Sequence, residues 1–263
     1  MSTRLFAMTY PQLMNQALDR GMNEADMGRL RNAYGCAERL FDGVYRGQHV
    51  PFLCHVVRTA AILLAEEEPL DVIMAGLLHA AYDLGYFEDK RHGKATLAHR
   101  EELRREVGDE VAALVAHYQQ FPWYQPECVR KHLQDLSSYD ETKRHLLMMR
   151  LANELEDYLD EGMAFRGTFP FQLKLEGYGK EVLEIARCLG RGQLAAELQE
   201  AFDRNLKAQL PDVVITKQRD SFQLPSLKWL KKSSFEKIQI KSREVIKRWT
   251  RNKNGKASLA GAS

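Results

Sequence analysis

A chain of 263 residues with 44% hydrophobic and 28% charged residues has the make-up of a globular protein that can bury one large core or two small ones, which excludes a fibrous or wholly disordered polypeptide. No run of 18 or more apolar residues occurs, so no transmembrane segment is expected, and "MSTRLFAMTYPQLM" lacks the apolar stretch of a secretory signal. The net charge of +2 hides an asymmetry: residues 211–263 hold 13 Lys/Arg against 4 Asp/Glu, and residues 1–210 hold 25 against 32.

In chain order the pattern is helical nearly everywhere. Thr9 and Pro11 open the first helix as N-cap and first-turn residue. Asn23 opens the second, which places Met27, Leu30, Tyr34 and Leu40 on one face. After the break "DGVYRGQHVP", Pro51 begins the apolar run "PFLCHVVRTAAILLAEE", and a further helix is expected over Leu70–Leu84. Gly108-Asp109 leads into "EVAALVAHYQQF", and Pro122 and Pro126 punctuate the next junction. Ser138 with Glu141 reads as a capping box before "TKRHLLMMRLANELEDYLDEG". Gly177 and Gly179 precede another helix ending near Gly190, and "QLAAELQEAFDRNLKAQ" closes the body. The only β-like stretch, "VVIT" at 213–216, is too short to build a sheet. The expected fold class is all-α.

Composition shifts after Pro211, which divides the chain into a helical domain over 1–210 and a basic extension over 211–263. Ser233 and Glu236 form a second capping box in the extension, before a partial stripe of Ile238, Val245 and Trp249. Its charge suits an anionic membrane, a nucleic acid or an acidic protein as partner. Cys36, Cys54, Cys128 and Cys188 are scattered without disulfide or C-x-x-C spacing, so free thiols and a cytoplasmic location, at most peripheral to a membrane, are expected.

Of eight histidines, His92, His99, His117, His132 and His145 lie in polar stretches and read as surface or supporting residues. His55 and His79 instead sit inside apolar helices, where an imidazole needs a partner for both ring nitrogens. Each is either a satisfied core histidine or a metal ligand. Asp83 follows His79 by four residues, on the same face if the helix continues. The helix "LLMMRLANELEDYLD" is unusually acidic for an apolar segment. Glu154 and Glu156 read as its solvated face, whereas Asn153 and Asp157, one turn apart, are expected to face the cavity of His55 and His79.

The ordered landmarks "YRGQHVPFLCH", "AGLLHAAYDLG", "VGDEVAALV" and "RLANELEDY" resemble the hydrolase part of the RelA/SpoT family over about residues 28–160. The resemblance implies an HD-superfamily helical domain, which in that family binds manganese and removes pyrophosphate from the ribose 3′ position. It places Arg46 near the base-contacting arginine, with a link to His55 one residue shorter. His55 falls on the first histidine ligand and His79 on the histidine of the His-Asp doublet, whose aspartate is Ala80 here. The acidic pair that follows is partly kept, with Asp83 or its neighbour at one position and Leu84 at the other. The last ligand, an aspartate in the family, is Asn153, and the asparagine and threonine of the next turn become Asp157 and Asp160.

Manganese and magnesium prefer anionic oxygen ligands, so two imidazoles and an amide make a poor site, and without a firmly held cation nothing lowers the pKa of water. Two readings of the pocket follow from the resemblance. In the first, a degenerate metal site binds a nucleotide, another phosphorylated ligand or a protein partner without ordinary hydrolysis, and needs no metal. In the second, an atypical metal-dependent phosphohydrolase recruits Asp83 and Asp157, with iron or zinc suiting a His55, His79 and Asp83 set. A third reading makes the basic extension the functional part and the helical body its scaffold.

Overall fold

A computed structural model of the protein describes residues 4–89, 93, 95–167, 170–216 and 220–224, the side chains of 170–174 excepted. The chain forms two units, Met1–Phe222 and Gln223–Ser263. Of the second, only Gln223 and Leu224 are described, so the capping box at Ser233 and the stripe ending at Trp249 lie outside the described residues.

The first unit is all-α. Its helices are α1 (Tyr10–Asp19), α2 (Glu24–Leu40), α3 (Phe52–Ala65), α4 (Leu70–Leu78), α5 (Ala81–Leu84), α6 (Leu97–Val107), α7 (Asp109–Gln120), α8 (Pro126–Asp135), α9 (Glu141–Tyr158), α10 (Gly162–Phe165), α11 (Pro170–Cys188) and α12 (Gly192–Lys207). The described strands, Val44–Tyr45 and Phe222–Gln223, have two residues each. Residues 212–214 of the "VVIT" region form one 3₁₀ turn. None of the described helices is long and apolar enough to cross a membrane.

The apolar run after Pro51 becomes the central helix α3, buried without interruption from Val56 to Leu64, as expected of a helix that is hydrophobic all round. It packs against α4 on one side and α9 on another. Gly76 of α4 permits the close approach, since a Cβ there would meet Leu63 Cδ1 at 2.5 Å and the Ala60 Cα at 3.6 Å.

The predicted caps of the first two helices form. The Thr9 N–H donates to Gln12 Oε1 at 3.1 Å, and Asn23 Oδ1 accepts from the Asp26 N–H at 2.9 Å. Elsewhere the structure corrects the sequence reading. The cap of α9 is Asp140, whose Oδ1 accepts from the Lys143 N–H at 2.8 Å. Ser138 is spent in the preceding 3₁₀ turn, donating to the Asp135 carbonyl at 2.7 Å. Gly177 and Gly179 lie within α11 rather than before it. Gly177 serves packing there: a Cβ would stand 3.3 Å from Pro126 Cγ, and its carbonyl accepts from Arg130 Nη2 at 2.7 Å. His99 and His132 are buried, not superficial. Each earns that place with a polar partner, His99 Nε2 at 3.0 Å from Asp89 and His132 between the Pro122 carbonyl and Tyr139 hydroxyl.

The expected single helix over Leu70–Leu84 is broken. α4 stops at Leu78, and Ala80 leaves helical geometry at φ −99°, ψ 11° before α5 resumes.

A buried charge network ties the turn between α3 and α4 to the ends of the domain. Arg4 pairs with Glu197 at 2.8 Å and with Glu66, while Glu68 receives Arg191 Nη2 at 2.7 Å and His145 Nδ1 at 2.9 Å. The hydrogen bond to Glu68 raises the pKa of His145 above its ordinary value, against the effect of burial, and Glu141 adds to the rise. A base bound more tightly in the folded state stabilises it fully below the unfolded pKa of about 6.5 and loses that contribution as pH rises through the folded pKa. Urea unfolding across a pH series should therefore show wild type losing stability above about pH 6.5 relative to His145→Gln, with the two curves parallel once His145 is deprotonated in both states.

Candidate functional site

α3, the α4–α5 break, α9 and the loop before α3 bring five predicted residues together: Arg46, His55, His79, Asn153 and Asp157. His55 comes from the third residue after α3 begins at Phe52, and His79 sits at the end of α4. Their Nε2 atoms are 3.3 Å apart, with the rings edge to face at 5.1 Å between centroids. His79 Nδ1 lies 2.8 Å from the Gly76 carbonyl. A carbonyl only accepts, so Nδ1 carries the proton and Nε2 turns its lone pair toward His55. Burial, then the neighbouring His55, hold the His79 pKa down to about 3. The neutral ring and its tautomer are those a metal-ligating histidine adopts.

The second nitrogen of His55 meets a different environment. Arg46 Nη1 stands 2.6 Å from His55 Nδ1 and 2.6 Å from Glu156 Oε2. Arg46 Nη2 pairs with Asp157, and Glu156 also contacts His55 Nδ1. Burial alone would raise the Glu156 carboxyl, but the charges of His55 and Arg46 outweigh it and hold it below the ordinary range. Burial likewise opposes the charge on Arg46, and Asp157 and Glu156 overcome it, so the guanidinium is held more firmly charged than usual. Arg166 lies near enough that, after burial, the charge of Arg46 lowers its pKa.

Asn153 is buried on α9, its Nδ2 3.4 Å from Asp157 Oδ2. Asp83 goes elsewhere: it is exposed and accepts from Gln119 Nε2 at 2.9 Å. The i, i+4 argument that paired it with His79 needs a continuous helix, and the helix ends at Leu78. Glu154 and Glu156, expected on a solvated face, are both buried. Glu154 accepts from Trp123 Nε1 at 2.7 Å, and Glu156 is at the centre of the cluster. The run "NELED" carried the only signal for Glu156, an acidic density too high for a helix this apolar.

A divalent ion held at the positions implied by the resemblance does not fit these residues. The two imidazoles are suitably spaced, since donor atoms around a tetrahedral ion with bonds of about 2.0–2.1 Å stand roughly 3.3–3.4 Å apart. The positions that would supply carboxylates supply the methyl of Ala80 and the amide of Asn153. A different group could hold a metal: donor atoms of His55, Glu156 and Asp157 all lie within 4.8 Å of one another. The guanidinium of Arg46 is already among them.

The wall beyond His79 is aromatic. The Tyr118 ring meets His79 edge to face at 5.2 Å, and the Arg150 guanidinium lies 3.8 Å above the Tyr118 ring.

Comparison with known proteins bears on this architecture. No curated protein matches the sequence. Among solved structures, one similar chain is a metazoan ortholog of SpoT that hydrolyses ppGpp and plays a role in starvation responses. It is 19% identical, with a TM-score of 0.44, and the match covers 69% of this chain and 96% of that one. The HD-domain family matches residues 33–153, a span that opens in α2, takes in Arg46, His55 and His79, and closes on Asn153. Residues 33–153, a little under half of the chain, are therefore similar to an HD domain.

Proposed function

We propose that this HD protein binds a phosphorylated ligand, a nucleotide by the resemblance of its sequence, without ordinary HD hydrolysis. One observation carries the reading: the carboxylates beside the two histidines, Glu156 and Asp157, are clamped by Arg46, while the positions expected to hold metal-binding aspartates are Ala80 and Asn153. A cation-assisted mechanism needs anionic oxygens free to hold the ion, and these are already compensated. Arg46 and the nearby Arg166 balance the charges of Glu156 and Asp157 and would offer a phosphate group the guanidinium donors that recognise it. In this role Arg46 is a ligand-binding residue, His55, His79 and Asn153 line the pocket, and Asp157 positions Arg46.

The test compares wild type with the double variant Ala80→Asp, Asn153→Asp. Titration calorimetry with manganese should show weak binding to wild type and at least tenfold tighter binding to the double variant, because the two changes restore anionic oxygen ligands. Wild type in EDTA should still bind guanosine tetraphosphate and release no pyrophosphate when manganese is added. Near-stoichiometric manganese in wild type, with pyrophosphate release, would establish the alternative, an atypical metal-dependent phosphohydrolase. That alternative draws on the His55, Glu156 and Asp157 group and requires Arg46 to leave it.

A further inference from the structure

The cluster around His55 has the composition of a transition-metal site and already contains a cation, but the cation is a side chain. His55, Glu156 and Asp157 supply one imidazole and two carboxylates, a ligand set that suits zinc and cobalt(II). His55 and Glu156 are buried and Asp157 nearly so, which sets this group apart from the loosely gathered acids of a protein surface. Arg46 reaches all three: Nη1 touches His55 Nδ1 and Glu156, and Nη2 touches Asp157. The guanidinium is buried too, so it is a fixed component and not a passing surface contact.

We propose that Arg46 is the built-in cation of a latent transition-metal site formed by His55, Glu156 and Asp157, and that removing its charge lets one zinc or cobalt(II) ion bind there. This site shares only His55 with the one implied by the resemblance, because it uses neither His79 nor Asn153, and it does not depend on which ligand the pocket binds.

The energetics favour the exchange. Two buried carboxylates left without Arg46 would face each other and the imidazole uncompensated, a strongly unfavourable arrangement in a low-dielectric interior. A divalent ion brings two positive charges where Arg46 brings one, and its bonds of about 2.0–2.2 Å draw donor atoms to within roughly 3.3–4.2 Å of each other. Donors already within 4.8 Å reach that spacing by small side-chain rotations. Methionine at position 46 keeps much of the stem volume and removes the charge and the hydrogen bonds.

The experiment uses the full chain as wild type, Arg46→Met, and Arg46→Met with Glu156→Gln, each purified through EDTA. Thermal unfolding is followed with and without one equivalent of zinc chloride, zinc affinity is measured by calorimetry, and cobalt(II) absorption reports coordination. The Arg46→Met protein should melt lower than wild type in EDTA and recover with zinc. It should bind one zinc at least tenfold more tightly than wild type and give the visible bands of a four- or five-coordinate cobalt(II) complex. The Glu156→Gln change should abolish the recovery and the bands. Equal zinc affinity in wild type and Arg46→Met would overturn the proposal, as would Arg46→Met remaining unfolded with and without zinc. Tight one-to-one zinc binding by wild type would overturn it too, since Arg46 would then not stand in the metal's place, and so would undiminished zinc binding in the double variant.

Discussion

Replacing Arg150 by methionine is expected to lower the stability of the protein by about 3–5 kcal/mol, measured by urea unfolding. Arg150 is buried in α9, yet its Nη2 donates to the carbonyls of Tyr118 and Phe121, each at 2.8 Å, and Nη1 reaches the Tyr124 hydroxyl at 3.3 Å. Those carbonyls lie at the C-terminal end of α7, where the Tyr118 carbonyl also accepts from the Phe121 N–H at 3.2 Å and Arg150 is its second donor. Charge-assisted hydrogen bonds of this kind contribute about 1.5–3 kcal/mol each, and losing them takes the Arg150 donor from the Phe121 carbonyl while Tyr118 keeps its backbone donor. The guanidinium also stacks over Tyr118, which packs against His79, so the same variant should loosen the wall of the site. A variant that unfolds with wild-type midpoint and slope would show that the α7 end is closed by other means.

Asn205→Leu is expected to cost about 2–4 kcal/mol by the same measurement. Asn205 Nδ2 donates to the Tyr158 carbonyl at 2.6 Å and the Ala201 carbonyl at 2.8 Å, and its Oδ1 accepts from the Ala164 N–H at 3.1 Å. One amide thus clips α12 to the turn that ends α9. That turn carries Asp160 and Glu161, both at φ 53°, a left-handed conformation unfavourable for residues with a Cβ. Asp160 is further held by Arg58 at 2.7 Å. Leucine keeps the branched heavy-atom skeleton of asparagine but offers neither donor nor acceptor, so the turn loses its support from α12. Asn205→Asp, which keeps an acceptor for Ala164 but faces two carbonyls with a carboxylate, should recover little of the loss.

What could be seen in the sequence was the part encoded locally. The apolar run after Pro51 and the caps at Thr9 and Asn23 are short-range signals, and the helices they predict form where expected. His55, His79 and Asn153 stood out because polar side chains interrupted apolar helices, and the structure brings the two histidines into contact. Glu156 was misjudged because its reason for burial lies 110 residues away at Arg46, and a pairing at that separation leaves no mark on periodicity. Glu154 is the same case, satisfied by Trp123 across 31 residues. Asp83 failed for the opposite reason: the spacing rule was sound for a helix, but Ala80 breaks the helix first. Gly177 shows a third kind of error, in which a residue that often ends helices is present instead for close packing on Pro126.

The separation of the pairs within the cluster also imposes an order of assembly. His55 and His79 are 24 residues apart, on two helices joined by a short turn, so their meeting requires closure of only a small loop. Arg46 and His55 must wait for Glu156, 110 and 101 residues further along. As the chain leaves the ribosome from its N-terminus, the histidine-bearing hairpin emerges several seconds before α9, at roughly 5–20 residues per second. During that interval the nascent chain offers two imidazoles with no carboxylate and no clamped guanidinium beside them. Arrival of α9 brings in both carboxylates together, so the ion pairing that defines the finished pocket can form only once α9 is out, while α11 and α12 are still to follow.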